Sequence, residues 1–399
     1  MPNPRRAPFC NTRRGRVKAA PPEFVVIGDS RAEDPAVAVA EASESLRGRG
    51  LCFVFAVLPD SLDVEETSAL LSQEFRGVPV FGCSSAGQIT TDGYDDQALL
   101  LLGFPRKNFR CASMLFQDLR PDHATAFAAR AQKEAERFRH TAGWNRFALI
   151  VADGLSKQED LLVSTLDAVL GDVPIFGGSA GDGLKFERTY VLHDGEAHSG
   201  AAVLLLIETD LQFQGVAFDH FQPEGAQIVI TSADAEDRLV YEINGAPAAE
   251  EYARLVGCAP EALSPEVFAE NPMMLRHNLT HYARAISDAK PGGALSLLAA
   301  IDDGLILTLG KAKGSLEALH EGLSARDAAG QPPDFILGFD CFLRRLEFEH
   351  KQLTKEVSDI LRTHRVIGFN TYGEQKSGLH MNQTFVGVAF FKPEARVLN

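Results

Sequence analysis

The residues best suited to chemistry lie near the C-terminus, in the run VIGFNTYGEQ at positions 366–375. This run begins as an apolar β-branched strand and then turns polar, and more polar residues follow before the apolar strand 384–391. Donors, acceptors, a carboxylate and an imidazole are thus gathered between two core strands, which is how an α/β sheet builds a small-molecule pocket. We predict that this stretch binds a ligand through Asn370, Thr371, Tyr372, Gly373, Glu374, Gln375, His380 and Asn382.

Two earlier stretches share this pattern, VPVFGCSSAG at 78–87 and VPIFGGSAG at 173–181. All three consist of an apolar strand, a glycine, a few small or polar residues and a second glycine. A chain that makes the same strand-to-loop turn three times is expected to point those loops at a common target. Ser84 and Ser179 therefore join the predicted ligand-binding residues.

The segment 177–181 also matches G-x-S-x-G, the turn that exposes a serine nucleophile in α/β hydrolases. A helix follows that turn at once in hydrolases, whereas a strand-like ERTY segment follows here at 187–190. Cys83 has no histidine or cationic cluster near it in the sequence to lower its thiol pKa. Tight backbone turns explain the small residues better. We predict no enzyme, and the alternative is a hydrolase or acyl transferase that uses Ser179 or Cys83.

Two pairs of histidines are candidate metal ligands by their spacing. His277 and His281 are spaced to share one face of an expected helix, but no adjacent Glu completes a zinc motif. His193 and His198 flank Asp194-Gly195, which is typical of a turn between two strands. A polar surface is the simpler interpretation of both pairs.

The elements that must position these residues repeat along the chain. A buried strand, a helix and a second strand are expected at 51–81, and the same order returns at 147–176. A strand–helix–strand unit favours a parallel pair with a right-handed crossover. We therefore predict a mixed α/β fold with a duplicated strand–helix–strand unit in its N-terminal domain.

The predicted division of the chain has three parts. A disordered basic arm occupies 1–20, the duplicated domain occupies 21–209, and an α/β domain with antiparallel strands occupies 210–399. One long helix is expected in the last part, from Phe342 to His364.

Composition narrows the class of protein. The chain has 399 residues, a length at which two domains are expected. Its net charge of -15 argues against a nucleic-acid binder. The longest apolar runs are far short of the roughly 20 residues that span a bilayer. The six cysteines lie far apart without a C-x-x-C pair, which favours reduced thiols and a cytoplasmic location.

The same residues resemble a known family. The segments 81–87 and 174–181 resemble the N-terminal half of FIST proteins. The Ala246-Pro247-Ala248 segment and the run 368–375 resemble the C-terminal half, and His380, Asn382 and the strand 384–389 continue that match. The resemblance covers nearly the whole chain beyond the basic arm.

The resemblance implies a cytoplasmic sensory protein that binds a small ligand and regulates a partner signalling enzyme. The implied partner is a histidine kinase of a two-component system or a cyclic-di-GMP enzyme, and a homodimer is compatible with the sequence. The ligand would be an amino-acid-like metabolite, or haem b that senses nitric oxide, as in a similar stand-alone bacterial subset. Haem needs an axial ligand, usually His. His193 is the candidate haem ligand that we predict, and His380 is the second to test.

Overall fold

The computed structural model describes residues 21–138, 140–183, 185–277 and 280–393. The predicted basic arm at 1–20 lies outside the described residues. Helices and strands alternate through the described part, which confirms the predicted mixed α/β fold. The elements form three consecutive copies of one order, in which a strand, a helix, a strand, a helix, a strand, a hairpin and a strand follow one another.

The first copy spans 26–105 and the second spans 109–209. The first contains β1 (Val26–Ser30), α1 (Pro35–Ala42), β2 (Leu51–Leu58), α2 (Val64–Glu74), β3 (Val80–Ser84), β4 (Gln88–Thr90), β5 (Gly93–Asp95) and β6 (Leu99–Pro105). The second contains β7 (Phe109–Phe116), α3 (Ala124–Arg137), β8 (Asn145–Ala152), α4 (Glu159–Leu170), β9 (Ile175–Ser179), β10 (Val191–His193), β11 (Glu196–His198) and β12 (Ala202–Thr209).

The third copy begins with β13 (Gln212–Phe218) and is interrupted by an insert at 219–312. The insert contains β14 (Phe221–Gln222), β15 (Gln227–Asp234), β16 (Leu239–Ile243), β17 (Ala246–Pro247), α5 (Ala248–Val256), α6 (Pro265–Glu270), β18 (Met273–His277), β19 (Thr280–Arg284), β20 (Ile286–Ala289), β21 (Leu295–Leu297), β22 (Ile306–Leu309) and β23 (Lys311–Ala312). The copy resumes with α7 (Ser315–Gly322), β24 (Phe335–Cys341), α8 (Phe342–His350), α9 (Thr354–Thr363), β25 (Val366–Thr371), β26 (Glu374–Lys376), β27 (Leu379–Met381) and β28 (Phe385–Phe391).

Four strands of each copy form a sheet, and a hairpin from another copy extends that sheet to six strands. The orders are β1-β6-β2-β3-β10-β11, then β7-β12-β8-β9-β26-β27, and then β13-β28-β24-β25-β4-β5. The hairpin of the second copy therefore belongs to the first sheet, and the hairpin of the third copy belongs to the second sheet. The hairpin of the first copy belongs to the third sheet. The predicted boundary at 209/210 falls between the second and third copies, and hydrogen-bonded strands cross it at β25–β4 and at β26–β9.

The three sheets face one another across a common apolar core. Phe55 of the first sheet, Phe147 of the second and Phe339 of the third belong to this single cluster and are almost fully buried. The other faces of the sheets are covered by the paired helices of each copy, with α1 and α2, α3 and α4, and α7 and α9 in contact. A strand that is buried on both faces has a continuous apolar sequence. Burial between the core and the helices therefore explains the sequence LCFVFAVL of β2.

A glycine at the same position of each copy allows the two parallel strands to pair closely. A Cβ atom on Gly82, Gly177 or Gly368 would lie only 1.8, 1.9 or 1.8 Å from a carbonyl oxygen of the neighbouring strand. These glycines are aligned with Ala56, Ile150 and Gly338 in the strand registers. The repeated glycine of the sequence pattern is therefore required by strand packing.

Two local predictions were wrong. The single helix expected at 342–364 is divided into α8 and α9, because Gln352 adopts a left-handed conformation with φ of 57° between them. The stretch that contains His277 and His281 forms the paired strands β18 and β19, because β18 also pairs with β22 and both strands join the insert sheet. No helix of the described residues is long and apolar enough to cross a membrane.

Candidate functional site

The three glycine loops meet one another in the interior. The Ala86 amide donates to the Asn370 carbonyl at 3.1 Å, which joins the first loop to the third. The Gly181 amide donates to the Ser84 carbonyl at 3.2 Å, which joins the second loop to the first. The Ser179 amide donates to the Gly373 carbonyl at 2.8 Å and closes the ring. The common target that the loops were expected to share is thus their own junction.

The predicted polar stretch lies at this junction and is buried. The structure brings together all ten predicted ligand-binding residues, and each polar side chain among them is at most 4% exposed: Ser84, Ser179, Asn370, Thr371, Tyr372, Glu374, Gln375, His380 and Asn382. The Ser84 hydroxyl accepts from the Tyr190 amide at 3.0 Å, and the Asn382 amide donates to the Tyr372 carbonyl at 3.2 Å. Most of these buried groups have hydrogen-bond partners, and the Gln375 Oε1 is the exception among them.

The hairpin β26–β27 has two different faces because side chains alternate along a strand. Gln375 and His380 are paired across it and share one face, with 3.3 Å between the Gln375 Nε2 and the His380 Nδ1. Glu374 and Met381 are also paired, and Lys376 and Leu379 are the third pair. Those four residues share the opposite face.

Glu374 is a fully buried carboxyl group. The Thr384 amide and hydroxyl donate to its Oε2 at 3.1 and 2.7 Å, and the Thr371 hydroxyl donates to its Oε1. Burial, together with the charge of Asp340, outweighs these donors and raises the pKa of Glu374 to about 8. The side chain therefore holds a proton at neutral pH.

Ser179 does not have the surroundings of a nucleophile. Its hydroxyl is fully buried and accepts from the Gln375 Nε2 at 2.8 Å, and an amide cannot act as a general base. Burial raises the pKa of the Cys83 thiol well above its ordinary value. The geometry therefore favours structural roles for Ser179 and Cys83.

Two acidic residues beside His380 form a candidate metal site with it. Ligand atoms of Glu159, Asp160 and His380 lie within 4.8 Å of one another. The Arg238 guanidinium already donates to Glu159 at 2.7 Å and to Asp160 at 3.1 Å. A cation in contact with both carboxylates repels a metal ion, so this group fits a buried ion pair that joins α4 to the insert.

Neither histidine considered for haem fits an axial ligand in this arrangement. His380 is nearly buried, and its two ring nitrogens lie 3.3 Å from the Gln375 amide and 3.4 Å from the Leu298 carbonyl. The His193 Nε2 lies 3.1 Å from the Ser113 hydroxyl, and its Nδ1 lies 3.6 Å from Asp194. An iron atom would have to displace one of these partners, and the haem-ligand prediction gains no support from the geometry.

A pocket of about 310 Å³ lies against the opposite face of the hairpin, and we call it the hairpin pocket. It is bounded by β13, by β19 of the insert and by the hairpin itself. Its lining consists of Ala217, Phe218, Asp219, Thr280, Tyr282, Lys376, Ser377, Leu379, Met381 and Thr384. Thr384 connects it to Glu374, since the same threonine holds that carboxyl group.

Two ionisable groups of the hairpin pocket, Lys376 and Asp219, form no direct ion pair among the described residues. Lys376 is half-buried, and burial lowers the pKa of its ammonium group. Asp219 accepts from the Phe221 amide at 2.9 Å, and burial raises the pKa of its carboxyl group although the Arg344 guanidinium attracts its charge. In both groups the cost of removing a charge from water is the largest cause of the shift.

A second opening, the interface cleft, lies between the insert and the second copy and measures about 700 Å³. The second copy contributes Gly154, Leu155, Lys157, Lys185 and Phe186. The insert contributes Asp237, Arg238, Leu239, Pro265, Ser287, Asp288, Lys290, Ser296, Leu297 and Leu298. The cleft touches the buried polar stretch at two points, where Phe186 stacks on Tyr372 and where the Leu298 carbonyl faces His380.

Sequence analysis missed the residues that line both openings. Lys376 follows the predicted run directly, and its position after two buried polar residues was a usable signal. Asp219 and Arg238 gave no such signal, because their neighbours in space come from the third copy and from α4, far away in the sequence.

Comparison with known proteins agrees with the architecture. The FIST N domain matches residues 50–246, and the FIST C domain matches residues 248–377. An uncharacterized protein of Methanocaldococcus jannaschii is 23% identical over 262 residues, which cover 57% of this chain and 50% of the relative. The chain thus spans about half the length of the curated relative that it matches. The two domain matches together cover most of the chain, so it belongs to the FIST family, whose domains are generally sensory domains that bind small ligands in signalling proteins.

Proposed function

We propose that the protein is a sensor whose hairpin pocket binds a small zwitterion of the amino-acid type. The observation that carries the proposal is the presence in one pocket of an amine and a carboxyl group, Lys376 and Asp219, neither of which has a direct ion-pair partner among the described residues. A ligand with one carboxylate and one ammonium group would supply a direct partner for each. The volume of about 310 Å³ is at the small end of ligand pockets.

The lining supports the choice of a small organic ligand. Thr280, Ser377 and Thr384 offer hydroxyl groups for orientation, and Phe218, Leu379 and Met381 offer apolar contact. A few placed polar groups on an apolar wall are typical of metabolite sites. Charges that are already desolvated cost less to bring together with a ligand, because part of the desolvation has occurred during folding.

Sensing would come from the position of the pocket between the insert and the three-sheet core. Thr280 and Tyr282 belong to the insert, whereas Lys376 and Thr384 belong to the third copy. A ligand that contacts both parts stabilises one arrangement of the insert over others, which is the thermodynamic requirement for a signal. The receiver would be a signalling enzyme such as a histidine kinase or a cyclic-di-GMP enzyme, as the family resemblance implies.

A thermal-shift screen of α-, β- and γ-amino acids tests the proposal. A ligand at 100 times its Kd adds about 2.7 kcal/mol of stability, which corresponds to a rise in Tm of several degrees for a chain of this size. Lys376→Met should abolish the shift without lowering the basal Tm, because it removes an uncompensated cation. Lys107→Met, at an exposed turn outside the pocket, is the matched control. A panel without any shift, or a shift that survives Lys376→Met, contradicts the proposal.

Haem is the competing ligand, and a visible spectrum separates the two. After reconstitution with haem we expect no Soret band that depends on His193 or His380, because both imidazoles are engaged by neighbouring groups. A band that is lost in His193→Ala or in His380→Ala would replace the zwitterion by haem as the ligand.

A further inference from the structure

The interface cleft is separate from the hairpin pocket and differs from it in size and lining. It measures about 700 Å³, more than twice the volume of the hairpin pocket. No residue belongs to both linings. A molecule that filled the interface cleft would be larger than one that filled the hairpin pocket.

An aromatic ring is fixed in the wall of this cleft. Phe186 is partly exposed, and its ring stacks on Tyr372 with 4.7 Å between centroids and 22° between planes. Phe342 contacts it edge-on at 5.8 Å. The ring is thus held at a set angle while part of it remains open to the cleft.

The backbone that carries Phe186 is strained and firmly anchored. Phe186 has φ of 53°, which is uncommon for a bulky residue. Asp182 holds this conformation by accepting from the amides of Phe186 and Glu187, at 3.0 and 2.8 Å. Strain that the surrounding structure maintains in this way is concentrated at functional sites.

The charged groups of the cleft favour an anion. Lys157, Lys185 and Lys290 line it with two carboxylates, those of Asp237 and Asp288, and the partner of Lys185, Asp60, lies outside the lining. Each lysine lies in an exposed ion pair, at 2.7 Å for Lys157, 2.7 Å for Lys185 and 3.1 Å for Lys290. Exposed pairs of this kind contribute little stability, so the lysines can turn to a ligand at low cost.

We infer that the interface cleft binds a nucleotide, with its base stacked on Phe186 and its phosphate contacted by Lys185 and Lys290. A flat aromatic group and an anionic group in one molecule match the two features of the wall. Base stacking on an aromatic side chain is tolerant of base identity, and lysine is a common phosphate contact. Haem is also flat and anionic, but the lining residues include no histidine, cysteine, methionine or tyrosine that could coordinate iron.

Calorimetric titration of the full chain with AMP, GMP, CMP and UMP tests the inference, with adenosine and inorganic phosphate as half-ligands. At least one nucleotide should bind saturably and more tightly than either half-ligand. Phe186→Leu should weaken that nucleotide at least about fivefold and leave phosphate unchanged, because only stacking is removed. Lys290→Gln should weaken both the nucleotide and phosphate, whereas Lys107→Gln should change neither.

The result is independent of the hairpin pocket, since Lys376→Met should leave nucleotide affinity unchanged. Unaltered melting of Phe186→Leu would show that its effect is not due to unfolding. The inference is overturned if none of the four nucleotides binds, or if binding is insensitive to both Phe186→Leu and Lys290→Gln. Equal affinity for nucleotide and inorganic phosphate would also overturn it, because the base would then contribute nothing.

Discussion

At the scale of single residues, the molecule buries ionisable groups in three different ways. Arg238 is paired with two carboxylates, Glu374 is fully buried among hydroxyl and amide donors, and Lys376 and Asp219 face a pocket without direct ion-pair partners among the described residues. The first arrangement is structural, and in the second burial outweighs the donors and keeps the carboxyl group protonated. The third leaves a direct partner missing for each group, and it is the one that we assign to a ligand.

The protonated state of Glu374 predicts how stability depends on pH. The folded chain binds a proton at Glu374 up to about pH 8, whereas the unfolded chain releases it near the ordinary value of 4.5. Stability therefore falls as pH rises between these values, by about 1.4 kcal/mol per pH unit from this group. Glu374→Gln should remove this slope. The free energy of unfolding of the variant should therefore increase relative to that of the parent as pH rises. Urea unfolding at pH 5, 6, 7 and 8 measures it, and parallel curves for the two proteins would contradict it.

At the scale of elements, the repeated glycine is the feature that sequence and structure share most directly. Gly82, Gly177 and Gly368 share one sequence pattern. Close strand packing requires glycine at all three positions. The turn that follows each glycine was also located correctly.

Substitution of these glycines predicts a matched loss of stability in all three copies. Gly82→Ala, Gly177→Ala and Gly368→Ala each place a methyl group against a backbone oxygen, and overpacking of this kind costs about 1–3 kcal/mol or more. Gly50→Ala is the control, because its Cβ would meet nothing within 4 Å. Denaturant midpoints measure the difference, and a harmless Gly368→Ala would show that the third copy is not packed like the others.

Much of the fold could be predicted from local patterns, but the exchange of hairpins between the three sheets could not. The apolar run at 51–58 and the helix of α4 follow from periodicity, which acts over a few residues. The pairing of β4–β5 with the third sheet depends on contacts between distant residues, such as Arg345 and Asp95, which are 250 positions apart. The polar stretch at 370–382 was found because it departs from a core pattern. Its place at the junction of three loops follows from the threefold repeat, of which only two copies were recognised as strand–helix–strand units.

At the scale of the whole molecule, the insert is joined to the core through buried polar contacts. Arg238 connects it to α4, Gln383 donates to the Ala269 carbonyl at 2.7 Å, and Asn382 accepts from the Ala285 amide at 3.4 Å. Both candidate ligand sites lie along this junction. The position of the insert is therefore the property that a ligand can change.

Arg238→Met predicts a loosened insert. The substitution leaves Glu159 buried without its cation, and breaking a buried ion pair costs about 3–5 kcal/mol. Amide exchange should accelerate in β15–β22 more than in β2 or β8. Arg254→Met removes an exposed pair within the insert and should cost less than about 1 kcal/mol. Uniform acceleration across the chain would contradict a specific role in docking.

The central claim is that Lys376 and Asp219 of the hairpin pocket, which have no direct ion-pair partner among the described residues, recognise a zwitterion. The most direct test is calorimetric titration with the best zwitterion of the thermal-shift screen and with its amine-only and acid-only analogues. We predict that Lys376→Met weakens the zwitterion and the acid but not the amine, and that Asp219→Asn weakens the zwitterion and the amine but not the acid. If each variant affects all three ligands equally, or none of them, the pocket does not read charge in this way and the account is wrong.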